Sequence, residues 1–242
     1  MKYDVLEHFL EATKYKNMSS SDQQLGLPQP LLEQPFEGEV ITLPDPFAVI
    51  VPAMDVKEAI LKRESIRSYT DQPLRVEELS YVLYMTQGIR KQLKSATLRT
   101  VPSAGARHAF ETYLFINHVE GLRSGLYRYI ASTHSLGMVS FDSSMKENLL
   151  HACYDQQMIQ QAALTFFWVC DFDRMGYRYQ ERGIRYLFLD AGHVSQNLYL
   201  LASQLHMGTC AIAAFDDDAV NKALGLDGLK IFTVYIGTLG KL

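Results

Sequence analysis

Three residues that could bind an anion alternate within the stretch LKRESIRSYTDQPL, residues 61–74: they are Arg63, Ser65 and Arg67. The planar guanidinium group of arginine can bind phosphate oxygens through two parallel hydrogen bonds. The stretch therefore predicts a phosphate site at a point where a helix ends and a loop begins. Charged residues are also common in solvated surface loops, so the pattern alone leaves both interpretations open.

Two stretches of small residues could line a flat ligand. In PSAGAR, residues 102–107, Ser103 resembles an exposed nucleophile, but the small side chains beside it would let a flat ligand approach the backbone. A tight turn would use the same residues. GTCAIAAF, residues 208–215, offers a similar choice between packing against a helix and presenting backbone N–H groups to a ligand. The local sequence leaves these alternatives open.

Several other kinds of site lack their motifs. There is no G-x-G-x-x-G for a dinucleotide and no G-x-S-x-G nucleophile elbow. The seven histidines are dispersed, with neither H-E-x-x-H nor Cys/His ligand spacing, so we expect no metal site. Asp190 and His193 lie in an apolar helical stretch, where we predict that both are hydrogen-bonded groups of the core.

Length and composition are those of a globular protein and narrow its possible partners. The 242 residues suffice for one large domain or two small ones, and 48% of them are hydrophobic. A net charge of -4 argues against nucleic acid and anionic membranes as partners. The three cysteines lie far apart, which fits a reducing compartment, and the N-terminus interleaves charges with apolar residues, unlike a signal peptide. We therefore expect a cytoplasmic protein without a membrane span.

The N-terminal part of the chain is predicted to differ from the rest. Residues 3–13 have helical spacing of apolar side chains, but no helical period survives in residues 17–53. That segment contains six prolines: Pro28, Pro30, Pro35, Pro44, Pro46 and Pro52. Because proline fixes φ and removes a donor, we expect an extended segment that wraps around the domain or a partner subunit, the alternative being disorder. The predicted units are therefore residues 1–54, a helix with a wrapping segment, and residues 55–242, the folded domain.

The folded domain mixes helices with strands. Helices are predicted at residues 76–87, 143–162 and 184–206, with two more that begin after Asp55 and Asp216. Strands are predicted at residues 111–117, 125–130, 164–170 and 230–237. Residues 164–170 form a continuous apolar run, which is typical of a strand buried on both faces. This order predicts an α+β sandwich, in which a central mixed or antiparallel sheet is flanked by helices around a buried central helix.

The order of the motifs resembles that of a known family. R-x-S-x-R after a first helix is followed by PSAGAR, DAGHVSQNLYLLA, GTCAIAAFDD and a terminal strand with a basic residue. This succession resembles the nitroreductase superfamily, most closely its SagB-type dehydrogenase branch, which includes oxidases of thiazoline- and oxazoline-containing peptides. The resemblance extends from about residue 55 to residue 242.

The resemblance implies an FMN-dependent homodimer with a nitroreductase-like fold and the flavin at the subunit interface. Arg63, Ser65 and Arg67 match positions that bind the FMN phosphate and ribityl chain, and Lys241 falls near a basic phosphate ligand. The remaining implied flavin contacts are Pro102, Ser103, Ala104 and Gly105 from the other subunit, and the backbone of Ala213 and Ala214 at the N5 edge. A phosphate dianion needs charge-assisted donors and the flavin ring needs a flat slot, which these residue types can supply.

The implied activity is hydride transfer from NADH or NADPH through the flavin to a small planar acceptor. Two alternatives stay open. One is a peptide azoline dehydrogenase, a chemistry that in the SagB branch resembles one using a Lys-Tyr pair beside the flavin; here the Lys-Tyr dipeptides are Lys2-Tyr3 and Lys14-Tyr15. The other is a protein that binds or consumes flavin without an external oxidisable substrate.

Overall fold

The computed structural model describes residues 3–242, so that Met1 and Lys2 of the predicted N-terminal unit lie outside it. The strands are β1 (Val40–Thr42), β2 (Ile89–Gln92), β3 (Thr97–Arg99), β4 (Phe110–Ile116), β5 (Gly125–Ile130), β6 (Ser135–Ser140), β7 (Leu164–Asp171), β8 (Met207–Ile212) and β9 (Ile231–Lys241). The helices are α1 (Asp4–Ala12), α2 (Val56–Lys62), α3 (Val76–Gln87), α4 (Met145–Ala152), α5 (Met158–Gln161), α6 (Phe172–Tyr179), α7 (Gly183–Gln204) and α8 (Asp217–Leu224).

One antiparallel sheet organises the domain. Its strand order is β1-β6-β5-β4-β7-β9-β8, and each neighbouring pair is antiparallel. Strands β2 and β3 form a separate hairpin. Strand β7 lies inside the sheet, between β4 and β9, and is buried along its whole length, as its apolar run predicts. The predicted α+β sandwich is confirmed, with a sheet of the antiparallel kind.

Helices cover both faces of the sheet, because successive side chains of a strand point to opposite faces and each face carries apolar residues. Phe166 and Trp168 belong to the core cluster formed with helices α3 and α7. Phe167 and Val169 belong to a second cluster, formed with α4 and α8. Burial of each such side chain contributes about 1.5–3 kcal/mol, so strand β7 stabilises both layers of the sandwich.

Helix α7 is the predicted central helix, and it carries one exposed face. Leu187, Ala191 and Leu198 are buried at helical spacing against the sheet side. Phe188 and Leu189 are each 59% exposed. No helix in the described chain, this one included, has the length and apolar character needed to cross a membrane.

The prediction of a single helix at residues 143–162 is wrong. Helix α4 ends at Ala152, and α5 begins only at Met158. Tyr154 and Asp155 between them have φ of 53° and 57°, in the left-handed region that ends a right-handed helix. Apolar periodicity continues through the break because both pieces pack on the same cluster, so the sequence does not reveal it.

The proline-rich segment packs on the chain's own domain. Strand β1 extends the sheet by pairing with β6. The backbone N–H of Gln34 donates to Glu111 Oε1 at 2.8 Å, and its amide Nε2 donates to Asp171 Oδ2 at 2.6 Å. Arg128 Nη2 donates to the Gln34 carbonyl oxygen at 2.8 Å, and Arg174 forms ion pairs with both carboxylates. These contacts need no second subunit. The division of the chain at residue 54 stays a prediction.

Candidate functional site

The segment with Arg63, Ser65 and Arg67 leaves helix α2 and runs beside the edge strand β8. The predicted N-cap is present, since Asp55 Oδ1 accepts a hydrogen bond from the Lys57 N–H at 2.8 Å. Beyond the helix, the Ile66 N–H donates to the Thr209 carbonyl oxygen at 2.9 Å. The segment is therefore extended against the end of the sheet.

The two guanidinium groups of this segment lie apart from every acidic side chain that the structure describes. Of the residues that the structure describes, none places a carboxylate within 4.0 Å of Arg63 or Arg67. Arg63 lies over the ring of Tyr199, 5.3 Å from its centroid, and Arg67 Nη1 donates to the Ser65 carbonyl oxygen at 3.3 Å. Two uncompensated positive charges beside an exposed hydroxyl suit an anionic ligand with several oxygens.

Tyr199 joins this segment to the small-residue stretch at residues 208–215. Its Oη lies 2.9 Å from Ser65 Oγ, and it accepts a hydrogen bond from the Ala211 N–H, also at 2.9 Å. The sequence alone does not single out Tyr199 as a residue of the site. Tyr199 lies between two leucines of the apolar helix α7, and this position is typical of an aromatic residue of the core. The hydroxyl group is the feature of the sequence that could indicate another role.

The small-residue stretch forms strand β8 and then leaves the sheet. Ala213 and Ala214 follow the last residue of the strand and are both exposed. The Ala214 carbonyl oxygen accepts a hydrogen bond from Gln156 Nε2 at 2.8 Å. Through Tyr199 and Ala211, the structure brings this backbone and the segment of Arg63, Ser65 and Arg67 into one region.

The PSAGAR stretch forms a tight turn that helix α7 holds in place. Gly105, Ala106 and His108 all have positive φ, of 56°, 53° and 44°. The Ala104 N–H donates to the two carboxylate oxygens of Asp190 at 3.2 and 3.3 Å, and Ser103 Oγ accepts from the His108 N–H at 2.9 Å. These bonds give Ser103 a structural role, so its resemblance to a nucleophile has no support.

Asp190 is the buried polar group of the core that its position in an apolar helix predicts. Burial raises the pKa of Asp190 above its ordinary value, against the opposing effect of hydrogen bonds from Ser103 and the Ala104 N–H. The same prediction is wrong for His193, which is exposed. His193 lies on the outward face of α7 with Phe188 and Leu189.

The structure does not join the turn to the arginine segment within one chain. The turn contacts α7 at Asp190, whereas the arginine segment contacts it at Tyr199, nine residues later. At 1.5 Å per residue, the two contacts lie about 14 Å apart along the helix axis. Pro102, at the start of the turn, is exposed. The two stretches therefore contact α7 at separate points along its length.

Lys241 is paired with an acid. Its ammonium lies 2.7 Å from Glu78 Oε1, in the first turn of α3. Burial acts to raise the pKa of Glu78, but the ion pair with Lys241 and the hydrogen bond from the Arg75 N–H outweigh it, so the pKa is lowered. Of Arg63, Arg67 and Lys241, Lys241 is the one with a carboxylate partner in the described part of the chain.

We expect Lys241→Met to reduce stability and to change FMN affinity by less than about tenfold. Loss of the partly buried ion pair should cost about 1–3 kcal/mol at pH 7. Because the pKa of Glu78 is lower in the folded protein, its stabilising effect is present at neutral pH and fades as the pH falls through that lowered value. Denaturant unfolding at pH 7 and near pH 3 measures the difference.

Lys230→Met is the matched control, because Lys230 forms an exposed ion pair with Asp173 at 3.4 Å. It should change stability by well under 1 kcal/mol at either pH. A Lys241→Met protein of unchanged stability that has lost FMN would instead place Lys241 at the phosphate.

Comparison with known proteins identifies the family. The sequence profile of the Nitroreductase family matches residues 60–241. MJ1384 of Methanocaldococcus jannaschii, whose name places it among the nitroreductases, is 31% identical over 197 residues, 81% of this chain and 95% of that protein. The trifolitoxin-processing protein TfxB of Rhizobium leguminosarum bv. trifolii is 28% identical over 62% of this chain, and the match covers 41% of TfxB.

Solved structures agree with the fold. A Ralstonia eutropha structure with a nitroreductase name superimposes with a TM-score of 0.69 at 23% identity, over 88% of this chain and 95% of that one. A Desulfovibrio desulfuricans structure, determined in complex with FMN, has a TM-score of 0.53 at 18% identity, over 78% of this chain and 86% of that one. These structures support the fold, and the profile match over residues 60–241 together with the 31% identity to MJ1384 shows that the chain belongs to the nitroreductase family.

Proposed function

We propose that the chain is an FMN-dependent oxidoreductase that takes hydride from NADH or NADPH and delivers it to a small planar acceptor. The observation that carries the proposal is the pair of unpaired guanidinium groups, Arg63 and Arg67, beside the hydroxyl of Ser65. This donor set fits the phosphate of FMN, which is a dianion. Family membership supports the oxidoreductase class, and the FMN complex of a structural neighbour supports the cofactor.

In this proposal the residues of the chain bind and orient the cofactor. Arg63, Ser65 and Arg67 would hold the phosphate, and the backbone at residues 213–214 would lie along the flavin edge. Residues 102–105 of a second copy would complete the slot. When bound, FMN supplies the hydride chemistry, so the protein needs no acid–base dyad of its own. The free thiols of Cys153, Cys170 and Cys210 support a reducing, cytoplasmic setting.

The proposal includes a homodimer, which the exposed face of α7 supports. We expect Phe188→Glu to weaken the dimer by at least tenfold and to lower FMN retention with it, because a charge would then be buried where an apolar side chain should be. Light scattering over a concentration series, with flavin absorbance recorded for the same samples, measures both effects.

Leu229→Glu is the control for Phe188→Glu, since Leu229 is 80% exposed but lies in the loop before β9. It should leave both the dimer and the flavin unchanged. A wild-type monomer that retains FMN would contradict the proposed interface.

The two alternatives have weaker support. The name of TfxB favours a role in processing a modified peptide. Among the described residues, however, the Lys14-Tyr15 pair lies on the N-terminal segment, where Lys14 pairs with Glu11 and Tyr15 contacts Arg182. Lys2 lies outside the described residues. In the described part of the chain, the contacts of Lys14 and Tyr15 are with Glu11 and Arg182 and not with Arg63 or Arg67. A protein that only binds or consumes flavin would share the same phosphate site.

Anaerobic titration tests the proposed activity. The FMN-loaded protein should lose its yellow absorbance promptly on addition of NADH or NADPH and regain it with a quinone or a nitroaromatic acceptor. Indifference to both nicotinamides would favour the peptide dehydrogenase or the flavin-binding alternative. A purified protein that neither contains nor takes up FMN would overturn the proposal.

A further inference from the structure

Tyr199 occupies the middle of a hydrogen-bond chain that leads from strand β8 to the exposed Ser65. The Ala211 N–H donates to Tyr199 Oη at 2.9 Å, and Tyr199 Oη lies 2.9 Å from Ser65 Oγ. Both lengths are in the range of good hydrogen bonds. Both contacts share one oxygen atom, so Ser65 of the phosphate segment lies close to the strand that leads to the exposed backbone at residues 213–214.

The polarity of the chain follows from its donors and acceptors. A tyrosine hydroxyl has one proton to donate, and Tyr199 already accepts from a backbone N–H. Among the described residues, Ser65 Oγ is the other hydrogen-bond partner of Tyr199 Oη, so the arrangement that uses every donor has Tyr199 donating to Ser65. The serine proton is then directed away from the tyrosine and toward whatever lies between Arg63 and Arg67.

We propose that Tyr199 is a positioning residue for the phosphate of FMN: its hydroxyl holds Ser65 as a hydrogen-bond donor toward that phosphate. This inference rests on the proposed function. Successive hydrogen bonds polarise one another, so the serine should be a better donor to an anion when the tyrosine donates to it. The guanidinium of Arg63 lies over the face of the same ring, 5.3 Å from its centroid, so Tyr199 contacts both Arg63 and Ser65 of the phosphate segment.

The affinities for FMN and for riboflavin distinguish a positioning role of Tyr199 from a purely structural one. If Tyr199 acts through Ser65, its hydroxyl should matter for FMN and not for riboflavin, which has the same ring and ribityl chain without the phosphate. If Tyr199 only supports the backbone at Ala211, the affinities for both flavins should fall equally. Both flavins have the ring, and the proposal places the ring edge at the backbone that follows Ala211.

The test is a double-mutant cycle on the flavin-stripped full-length chain, with FMN and riboflavin affinities measured by fluorescence titration. Tyr199→Phe and Ser65→Ala should each weaken FMN binding by about five- to tenfold and leave riboflavin binding within about twofold. The double variant should bind FMN no more weakly than Ser65→Ala alone, because the tyrosine acts through the serine. Tyr81→Phe is the matched control, since its hydroxyl donates to Gln204, away from the site.

The outcomes separate this inference from the proposed function. Equal weakening of both flavins by Tyr199→Phe, or additive losses in the double variant, would overturn the role of Tyr199 and leave the FMN site standing. A wild-type chain that binds neither flavin would overturn both. Ser65→Ala changes an exposed position outside α7, so this variant should fold even if Tyr199→Phe does not. Its FMN and riboflavin affinities then test the serine donor. An unchanged FMN affinity of Ser65→Ala would overturn the inference.

Discussion

Replacing Arg67 with alanine is expected to remove most of the FMN from the purified protein. The Arg67 side chain is exposed, has no acidic partner among the described residues and donates only to the Ser65 carbonyl oxygen beside it. Its charge is therefore available to a ligand at little cost in broken contacts. Loss of two charge-assisted hydrogen bonds of about 1.5–3 kcal/mol each should weaken FMN binding about 10²–10⁴-fold. Absorbance of the purified variant and titration with added FMN measure the loss.

Two comparisons make the result specific to the phosphate. Arg123→Ala removes a guanidinium group that lies 4.4 Å from the ring centroid of Phe141, near the β4–β5 connection, and should leave FMN binding unchanged. Arg67→Lys should recover part of the affinity, because an ammonium keeps the charge but not the bidentate geometry. Normal FMN occupancy in Arg67→Ala would move the phosphate to another part of the chain.

Local signals in the sequence predict much of this fold. Asp55 and Asp216 are N-caps in the structure as predicted, because a short acidic side chain can accept a hydrogen bond from the first turn of a helix. The apolar run at 164–170 predicts the doubly buried strand β7 because both of its faces must be covered. The alternation of Arg63, Ser65 and Arg67 is also a local pattern, and it leads to the segment that has unpaired charge.

The sequence predicts less where the outcome depends on distant contacts. Lys241 pairs with Glu78, which lies 163 positions away in the chain, and no local sequence pattern predicts that ion pair. The sequence around Tyr199 is typical of a core aromatic residue, and its other role follows only from the contacts with Ser65 and Ala211 in the structure. His193 has the spacing of a core residue, but it lies on a face of α7 that this chain alone leaves uncovered.

The second large effect is expected at Gly105, where a leucine should destabilise the protein and reduce its FMN content. Gly105 has φ of 56°, and a Cβ added there would lie 2.5 Å from Tyr179 Oη and 3.0 Å from Arg178 Cδ. Left-handed backbone is unfavourable for leucine, and the overlap must push at least one neighbour aside. We expect a loss of about 2–4 kcal/mol in unfolding free energy, which a domain of this size can survive.

A smaller substitution separates the two causes of that loss. Gly105→Ala keeps the backbone strain and the overlap with the Tyr179 hydroxyl but adds no further bulk. Tyr179→Phe removes the overlapping oxygen, so Gly105→Ala combined with Tyr179→Phe should be more stable than Gly105→Ala alone by about 1 kcal/mol. Tyr179→Phe by itself is the control, and urea unfolding of the four proteins closes the cycle.

The flavin content of Gly105→Leu then decides between a turn that only shapes the chain and one that lines the proposed slot. If the turn lies against the flavin of a second copy, added bulk should reduce FMN retention and slow flavin reduction even when Tyr179→Phe relieves the overlap within the chain. Reacting atoms must approach to about 3–3.5 Å for hydride transfer, so a small displacement there has a steep effect on rate. Stopped-flow reduction of Gly105→Leu with Tyr179→Phe measures this, with circular dichroism to establish that the fold is intact. Wild-type reduction rates and full FMN content in that folded variant would remove residues 102–105 from the slot.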